Sequence, residues 1–224
     1  MLLSVVMPSL DEAAGIEHSL RALAALRQAG VEVIVVDGGS ADATFALARP
    51  LADQVLSSHR GRALQMNAGA AAAMGDMLLF LHADTRLPAE VLTLMQRAAA
   101  DARHAWGRFD VDIDGRSPWL KIVAFMMNQR SRLTGIATGD QAIFVRRTAF
   151  VAAGGFPLQP LMEDIELSRR LRRISAPLCL RARVRTSGRR WEARGVWRTI
   201  VLMWRLRLLY WLGTPAEQLA AKYR

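Results

Sequence analysis

An alternation of short apolar runs with helically spaced stretches, over the first 82 residues, limits the fold more than any other feature of the chain. LLSVVM (2–7), VEVIVV (31–36), DQVLSS (53–58) and MLLFLH (77–82) have strand length, and three of them are almost continuously apolar. Between them, residues 14–29 carry Ile16, Leu20, Leu23 and Leu26 at helical spacing, 42–49 reads as a short helix, and 63–74 is Ala-rich and helical. Strands that are apolar on both faces need cover on both faces. The β-α-β-α-β-α-β order therefore predicts an α/β fold, a mostly parallel central sheet with helices on both sides.

Three of these runs end in polar corners: Pro8-Ser9-Leu10-Asp11-Glu12, Asp37-Gly38-Gly39-Ser40 and His82-Ala83-Asp84-Thr85. A buried strand has no packing reason to finish on an acid. In open α/β sheets, ligands sit just beyond the carboxyl ends of the strands, so a ligand site is expected at this edge. Farther on, 89–101 reads as a helix, and WGRFDVDIDG (106–115) as a half-exposed strand with Phe109, Val111 and Ile113 on its inner face. Residues 118–133 form a helix opened by Pro118, QAIFVRR (141–147) a strand, TAFVAAGGF (148–156) a turn of helix, MEDIELSRRLRR (162–173) a charged helix and PLCLRARVRT (177–186) a strand.

Several classes are excluded. No Gly-x-Gly-x-x-Gly follows the first strand, no Gly-x-x-x-x-Gly-Lys-Ser/Thr is present, and no Gly-x-Ser-x-Gly elbow occurs. The single cysteine, Cys179, rules out a disulfide framework and a Cys-based zinc site and is expected to be buried as a small hydrophobe. The start, MLLSVVMPSL, lacks a basic leader region and is stopped by Pro8, so it is expected to be the first strand rather than a signal peptide.

The ordered segments carry a resemblance. SVVMPSLDEAAGIEHSL, VIVVDGGSADAT, RGRALQMNAGAAAAMGDMLLFLHADTRLP, GDQAIFVRRTAFVAAGGFP and MEDIELSRRL together resemble the family-2 inverting glycosyltransferases of the GT-A, nucleotide-sugar-binding fold, over roughly residues 2–192. GDQAIFVRR and EDIELSRRLRR are most similar to a bacterial subgroup named for its association with radical-SAM and selenoprotein-type domains. The resemblance implies a hexose transferred from a nucleotide-diphosphate sugar. Pro8, Glu12, Asp37, Arg62, Asn67 and Asp84 match the family's nucleotide-sugar-binding positions, with Asp11 where Asn is usual. It also implies Mg²⁺ or Mn²⁺ on Asp84. His82 stands where the family's first metal-motif Asp is usual, so it is a metal ligand, a ribose contact or a strand cap. Asp164 matches the catalytic base, with Glu163 beside it, although both would also favour a helix N-terminus. Gly139, Asp140, Gln141 and Trp191 match acceptor-side positions, and Arg190 a diphosphate-binding one, in a motif where Ser187 replaces the usual Gln.

Charge is uneven. Residues 1–164 hold 15 basic and 17 acidic side chains, while 165–224 hold 15 and 3. Residues 193–224 are set apart as a basic, amphipathic, helical tail behind a transferase domain of 1–192. Trp197, Trp204 and Trp211 share one helical face with Ile200, Val201 and Leu208, flanked by Arg194, Arg198 and Arg205. That is the pattern of an interfacial membrane helix, or of a helix packed on the core or on a second copy. Three arginines within 195–213 argue against a span. The expected setting is cytoplasmic, peripheral on the inner membrane face, with a lipid-linked acceptor and no nucleic acid; the oligomeric state stays open. The competing readings are a nucleic-acid- or membrane-binding module driven by the tail, and a degenerate sugar-nucleotide binder.

Overall fold

The computed structural model describes residues 2–223, apart from the side chain of Arg190. In chain order the elements are β1 (Leu3–Ser9), α1 (Ile16–Arg21), α2 (Ala24–Gln28), β2 (Glu32–Asp37), α3 (Thr44–Ala48), β3 (Gln54–Ser57), α4 (Arg62–Ala72) and β4 (Met77–Phe80). Then come β5 (Thr85–Arg86), α5 (Val91–Ala100), β6 (Trp106–Asp114), α6 (Trp119–Thr134), β7 (Phe144–Arg146), α7 (Arg147–Ala152) and α8 (Glu163–Leu171). The chain closes with β8 (Leu178–Ser187), α9 (Arg189–Arg194), α10 (Val196–Trp211) and α11 (Ala216–Tyr223).

The eight strands form one sheet in the order β3-β2-β1-β4-β7-β6-β8-β5. The first four are parallel, as the apolar runs predict. β7 then runs antiparallel to β4 and to β6, and β8 pairs parallel with β6. Alternate residues enter opposite cores. Val5, Val33, Val35 and Leu79 face α1, α5 and α6, whereas Val6, Ile34, Val36 and Leu78 face α4, α7 and α8. α4 lies close on the sheet through Gly69, where a Cβ would stand 2.4 Å from Val6 Cγ1.

Four expectations are corrected. The helix expected over 14–29 breaks into α1 and α2 around Ala22 and Leu23. Cys179 is only half-buried. Gln141 does not belong to a strand: it closes a 3₁₀ turn, Gly139–Gln141, and the strand shortens to β7. β6 is not half-exposed, since Arg108 and Asp110 on its second face are buried beneath α6. There Arg108 pairs with Asp110 and donates to Ser131 Oγ (3.1 Å) and Asn128 O (3.1 Å), while Arg132 reaches Asp110 Oδ2 at 2.6 Å. The alternation was real; a helix covers the side that reads as solvent.

The expected C-terminal helix is present as α10, with α11 following it. α10 turns Thr199 and Leu206 inward, and Leu206 and Leu219 pack on Met162 just ahead of α8. Among the described residues no helix is long and apolar enough to cross a membrane.

Candidate active site

The chain leaves β1 for β2 on one side and returns to β4 on the other. The carboxyl ends of β1 and β4 therefore open a crevice of the kind where α/β sheets bind ligands. A cleft of about 330 Å³ occupies it, lined from β1 by Pro8, Ser9 and Glu12, from the start of α4 by Arg60 and Arg62, and after β4 by His82 and Asp84. Asp140 and Trp191 line it from the far half of the sheet, and Thr199, Met203 and Tyr223 from the tail. Eight of the expected positions thus converge: Pro8, Glu12, Arg62, His82, Asp84, Asp140 and Trp191 on the lining, and Gly139 directly behind it.

The wall after β4 is set by contact. His82 Nδ1 lies 3.3 Å from Asp140 Oδ1. Gly139 is pressed on the same ring, and a Cβ there would stand 2.5 Å from His82 Nε2. Asp84 projects into the cleft from the turn closed by Thr85 N–H donating to His82 O at 3.0 Å. Among the described residues, threonine hydroxyls approach its carboxylate, Thr85 at 3.4 Å and Thr186 at 3.5 Å.

Behind Asp140 lies an acidic pair. Asp164 accepts hydrogen bonds from Gly139 N–H (2.8 Å) and Ile165 N–H (2.7 Å). Burial pushes its carboxyl above the ordinary aspartate value, and Asp140 adds to the rise, against those two N–H groups and Arg62. Burial also raises Glu163, and the charge of Asp164 raises it further. Arg62 faces both acids. Partial desolvation of its guanidinium disfavours the charge, but Glu163, Asp140, Tyr223 and Asp164 outweigh that and hold it above the ordinary arginine value, although the residue as a whole is exposed. Such a pair, raised by burial and steadied by one cation, is the environment of a proton acceptor.

Three expected residues stand elsewhere. Asn67 exchanges two hydrogen bonds with the Phe156 backbone, 2.8 Å from its Nδ2 and 2.9 Å to its Oδ1, and so pins the turn before α8. Gln141 is fully buried; its Oε1 accepts from Thr138 N–H at 3.2 Å and its Nε2 donates to Asn128 at 3.3 Å, holding the turn that presents Asp140. Asp37 is buried at the rim, its carboxylate accepting from Gly39 N–H, Ser40 N–H and Ser40 Oγ. The Arg190 side chain lies outside the described residues; its neighbour Arg189 reaches Glu12 Oε2 at 3.4 Å.

Other contributors escaped the sequence reading. Gln65, one turn after Arg62 on α4, bridges the ends of β1 and β2 by donating to Ser9 O (2.7 Å) and Val36 O (2.9 Å). Its spacing from Arg62 was a usable signal. Ser9 Oγ is buried in the cleft floor without a hydrogen-bond partner among the described residues. Arg130 of α6 lies within the field of Asp164 and Asp140; burial lowers its pKa, and its Nε and Nη2 have no partner among the described residues. The non-glycine residues with left-handed backbone, Asp11 (φ 52°), Ala142 (φ 47°) and Met162 (φ 64°), adjoin Glu12, Gln141 and Glu163. Such conformations cost roughly 1–3 kcal/mol each and persist where the surroundings over-determine them, commonly at functional sites.

No group of three or more His, Cys, Asp or Glu side chains forms a metal cage among the described residues. The donor set suits a different arrangement. Hard divalent cations in phosphate chemistry take one or two carboxylates and complete their shell with substrate oxygens and water. Asp84, exposed in the cleft and weakly engaged, fits that use; His82 is turned to Asp140 instead.

The same architecture occurs in solved proteins. S. aureus TarS in complex with UDP-GlcNAc superposes with a TM-score of 0.67 at 18% identity, covering 84% of this chain and 58% of that one. The mannosyltransferase PcManGT from Pyrobaculum calidifontis, with GDP-Man and Mn²⁺, gives 0.59 at 22% identity over 82% and 56%. Glucosyl-3-phosphoglycerate synthase from Mycobacterium tuberculosis, with Mn²⁺, UDP and glucosyl-3-phosphoglycerate, gives 0.60 at 21% over 83% and 70%. The chain spans about three fifths of the length of the first of these. No curated protein is significantly similar to it. The model of the family described as glycosyl transferase family 2 matches residues 4–153, taking in β1 to β7 and with them the floor of the cleft, Asp84 and Asp140. With more than half its length matched, and a GT-A sheet around the cleft, this chain belongs to glycosyl transferase family 2.

Proposed function

We propose that the protein moves a hexose from a nucleotide-diphosphate sugar to an acceptor hydroxyl, with inversion at the anomeric carbon. The observation that carries this reading is the division of charge across one cleft. Arg60, Arg62 and the N-terminus of α4 stand on one side, and on the other the raised Glu163–Asp164 pair lies behind the turn that carries Asp140, with Asp164 accepting from Gly139 N–H. A diphosphate leaving group needs the first and an attacking hydroxyl needs the second.

In this mechanism the nucleoside end lies against Pro8 and Glu12, with the unpartnered Ser9 hydroxyl beneath it and Asp37 acting through the 38–40 loop that it holds. Asp164 takes the acceptor's proton as the oxygen attacks the anomeric carbon. The bond from that carbon to the diphosphate breaks on the opposite face, and Arg60 and Arg62 receive the released negative charge. Asp84 would hold a divalent cation, which would supply further charge neutralisation for the leaving diphosphate. Gly139 and Asp140 border the acceptor side, and Trp191 closes the cleft near the sugar. The same reading places the protein in the cytoplasm beside a membrane carrying a lipid-linked acceptor, and in the radical-SAM/selenoprotein-domain-associated subgroup, supported by the wording of GDQAIFVRR and EDIELSRRLRR.

Donor binding tests this directly. UDP or GDP with Mn²⁺ is expected to raise the melting temperature, and Asp84→Ala to abolish the Mn²⁺-dependent part of the shift while the unliganded melt stays unchanged. A folded protein that responds to no nucleoside diphosphate, with either Mn²⁺ or Mg²⁺, overturns the assignment.

A further inference from the structure

The outward faces of α6 and α10 are not explained by the fold or by the cleft. On α6, Trp119, Ile122, Phe125 and Met126 form one stripe, 41–58% exposed. On α10, Trp197, Val201, Trp204, Leu208 and Trp211 form another, 56–81% exposed. α10 already buries Thr199 and Leu206 on its opposite side, so core packing does not account for three outward tryptophans. The two stripes meet where the Trp119 and Trp197 rings stack edge-on at 4.6 Å, making one continuous apolar platform. Monomeric surfaces seldom expose apolar patches of this kind unless something covers them.

The rim identifies the occupant. Neither helix contains a single acidic residue. Lys121, Arg198 and Arg205 are exposed beside the stripes and have no acidic partner among the described residues. A second copy docked symmetrically would set this basic rim against itself. A nucleic acid would have no use for Ile122, Met126, Val201 and Leu208. Tryptophans at the edge of an aliphatic stripe with arginines at its side match an anionic lipid surface.

We propose that α6 and α10 form a single two-helix platform that seats the protein on an anionic bilayer, its apolar stripes in the acyl boundary and Lys121, Arg198 and Arg205 among the headgroups. The platform is larger than the tail, because half of it belongs to the transferase core. Its position also bears on the cleft. The inner side of α10 brings Thr199 and Met203 to the cleft lining, and Tyr210 OH accepts from Gln159 Nε2 at 3.2 Å on the loop leading to Glu163. What the platform presents to the membrane rests on the proposed reading of the cleft; the docking itself does not.

Flotation of the full chain with extruded vesicles tests this. The protein is expected to float with phosphatidylglycerol vesicles and to remain below with phosphatidylcholine alone. Phe125→Glu on α6 and Trp204→Glu on α10, both at exposed positions, are each expected to lower the vesicle partition coefficient about tenfold or more. Both variants are expected to keep the melting temperature and the nucleotide-dependent shift, which separates failure of docking from failure of the donor assignment. The proposal is overturned if the chain ignores phosphatidylglycerol vesicles, or if Trp204→Glu abolishes flotation while Phe125→Glu changes nothing, which leaves only the tail. It is equally overturned if sedimentation shows a dimer that Phe125→Glu dissociates, or if single-stranded nucleic acid competes the protein off the vesicles.

Discussion

Asp164→Asn is expected to leave the fold intact and to cut turnover about a thousandfold, within the range for loss of a positioned general base. Asn retains one oxygen to accept from Gly139 N–H and gives up the bond from Ile165 N–H, so the turn stays held while the proton acceptor is lost. Glu163→Gln is expected to cost less, because Glu163 is buried deeper and is not hydrogen-bonded to the turn that carries Asp140. The sign of the pH dependence follows from the raised carboxyl. In the proposed mechanism Asp164 acts as the carboxylate, so kcat/KM is expected to fall as pH drops through a pKa above the ordinary aspartate range. Arg62→Gln removes the cation that opposes the rise in both acids and moves this acid limb to higher pH, while Asp140→Asn moves it lower. Stability runs the opposite way. Both carboxyls bind their protons more tightly in the folded than in the unfolded chain. The stabilisation they give is therefore full below the unfolded pKa values and is lost as pH rises through the folded ones. A pH–rate profile of the wild type and these variants, beside urea melts at the same pH values, checks both signs. Near-normal turnover in Asp164→Asn would remove it from the mechanism.

Asp110→Ala is expected to destabilise the protein by about 3–5 kcal/mol, the usual cost of leaving a buried partner charge uncompensated. Arg108 is fully buried, and Asp110 is its ion-pair partner; its remaining bonds go to neutral oxygens of Ser131 and Asn128. The double replacement Arg108→Met with Asp110→Leu is expected to recover much of the loss, since it removes the orphaned charge as well as the pair. Chemical denaturation at neutral pH reads both. A loss under 1 kcal/mol for Asp110→Ala would mean that the pair contributes no more than a surface ion pair.

The legible parts of the chain were those governed by local periodicity. The parallel half of the sheet followed from apolar runs bounded by helical spacing, and the polar corners after β1 and β4 marked the cleft because side chains just beyond a strand's carboxyl end have few other places to go. The acid that ends β2 was legible only by position: Asp37 turned inward because Gly39 and Ser40 offer it three donors within three residues. The backbone and side-chain partners of Asn67 and Gln141 were not legible for a related reason. An amide side chain can serve a ligand or a distant backbone equally well, and its choice depends on which segment, 89 residues away for Asn67, lies within 3 Å.

Sequence alone determined the α/β class and the edge of the sheet where the cleft opens, because both follow from local periodicity and from where apolar runs end in polar residues. Tertiary structure alone decided the rest. It covered the second face of β6 with α6, it set Asp140 against His82 beside the neighbouring strands β4 and β7, and it folded the tail so that one side of α10 closes the cleft while the other stays open to its surroundings. These features depend on which surfaces meet, and a one-dimensional pattern records only that a surface is apolar or charged, not what it will be pressed against.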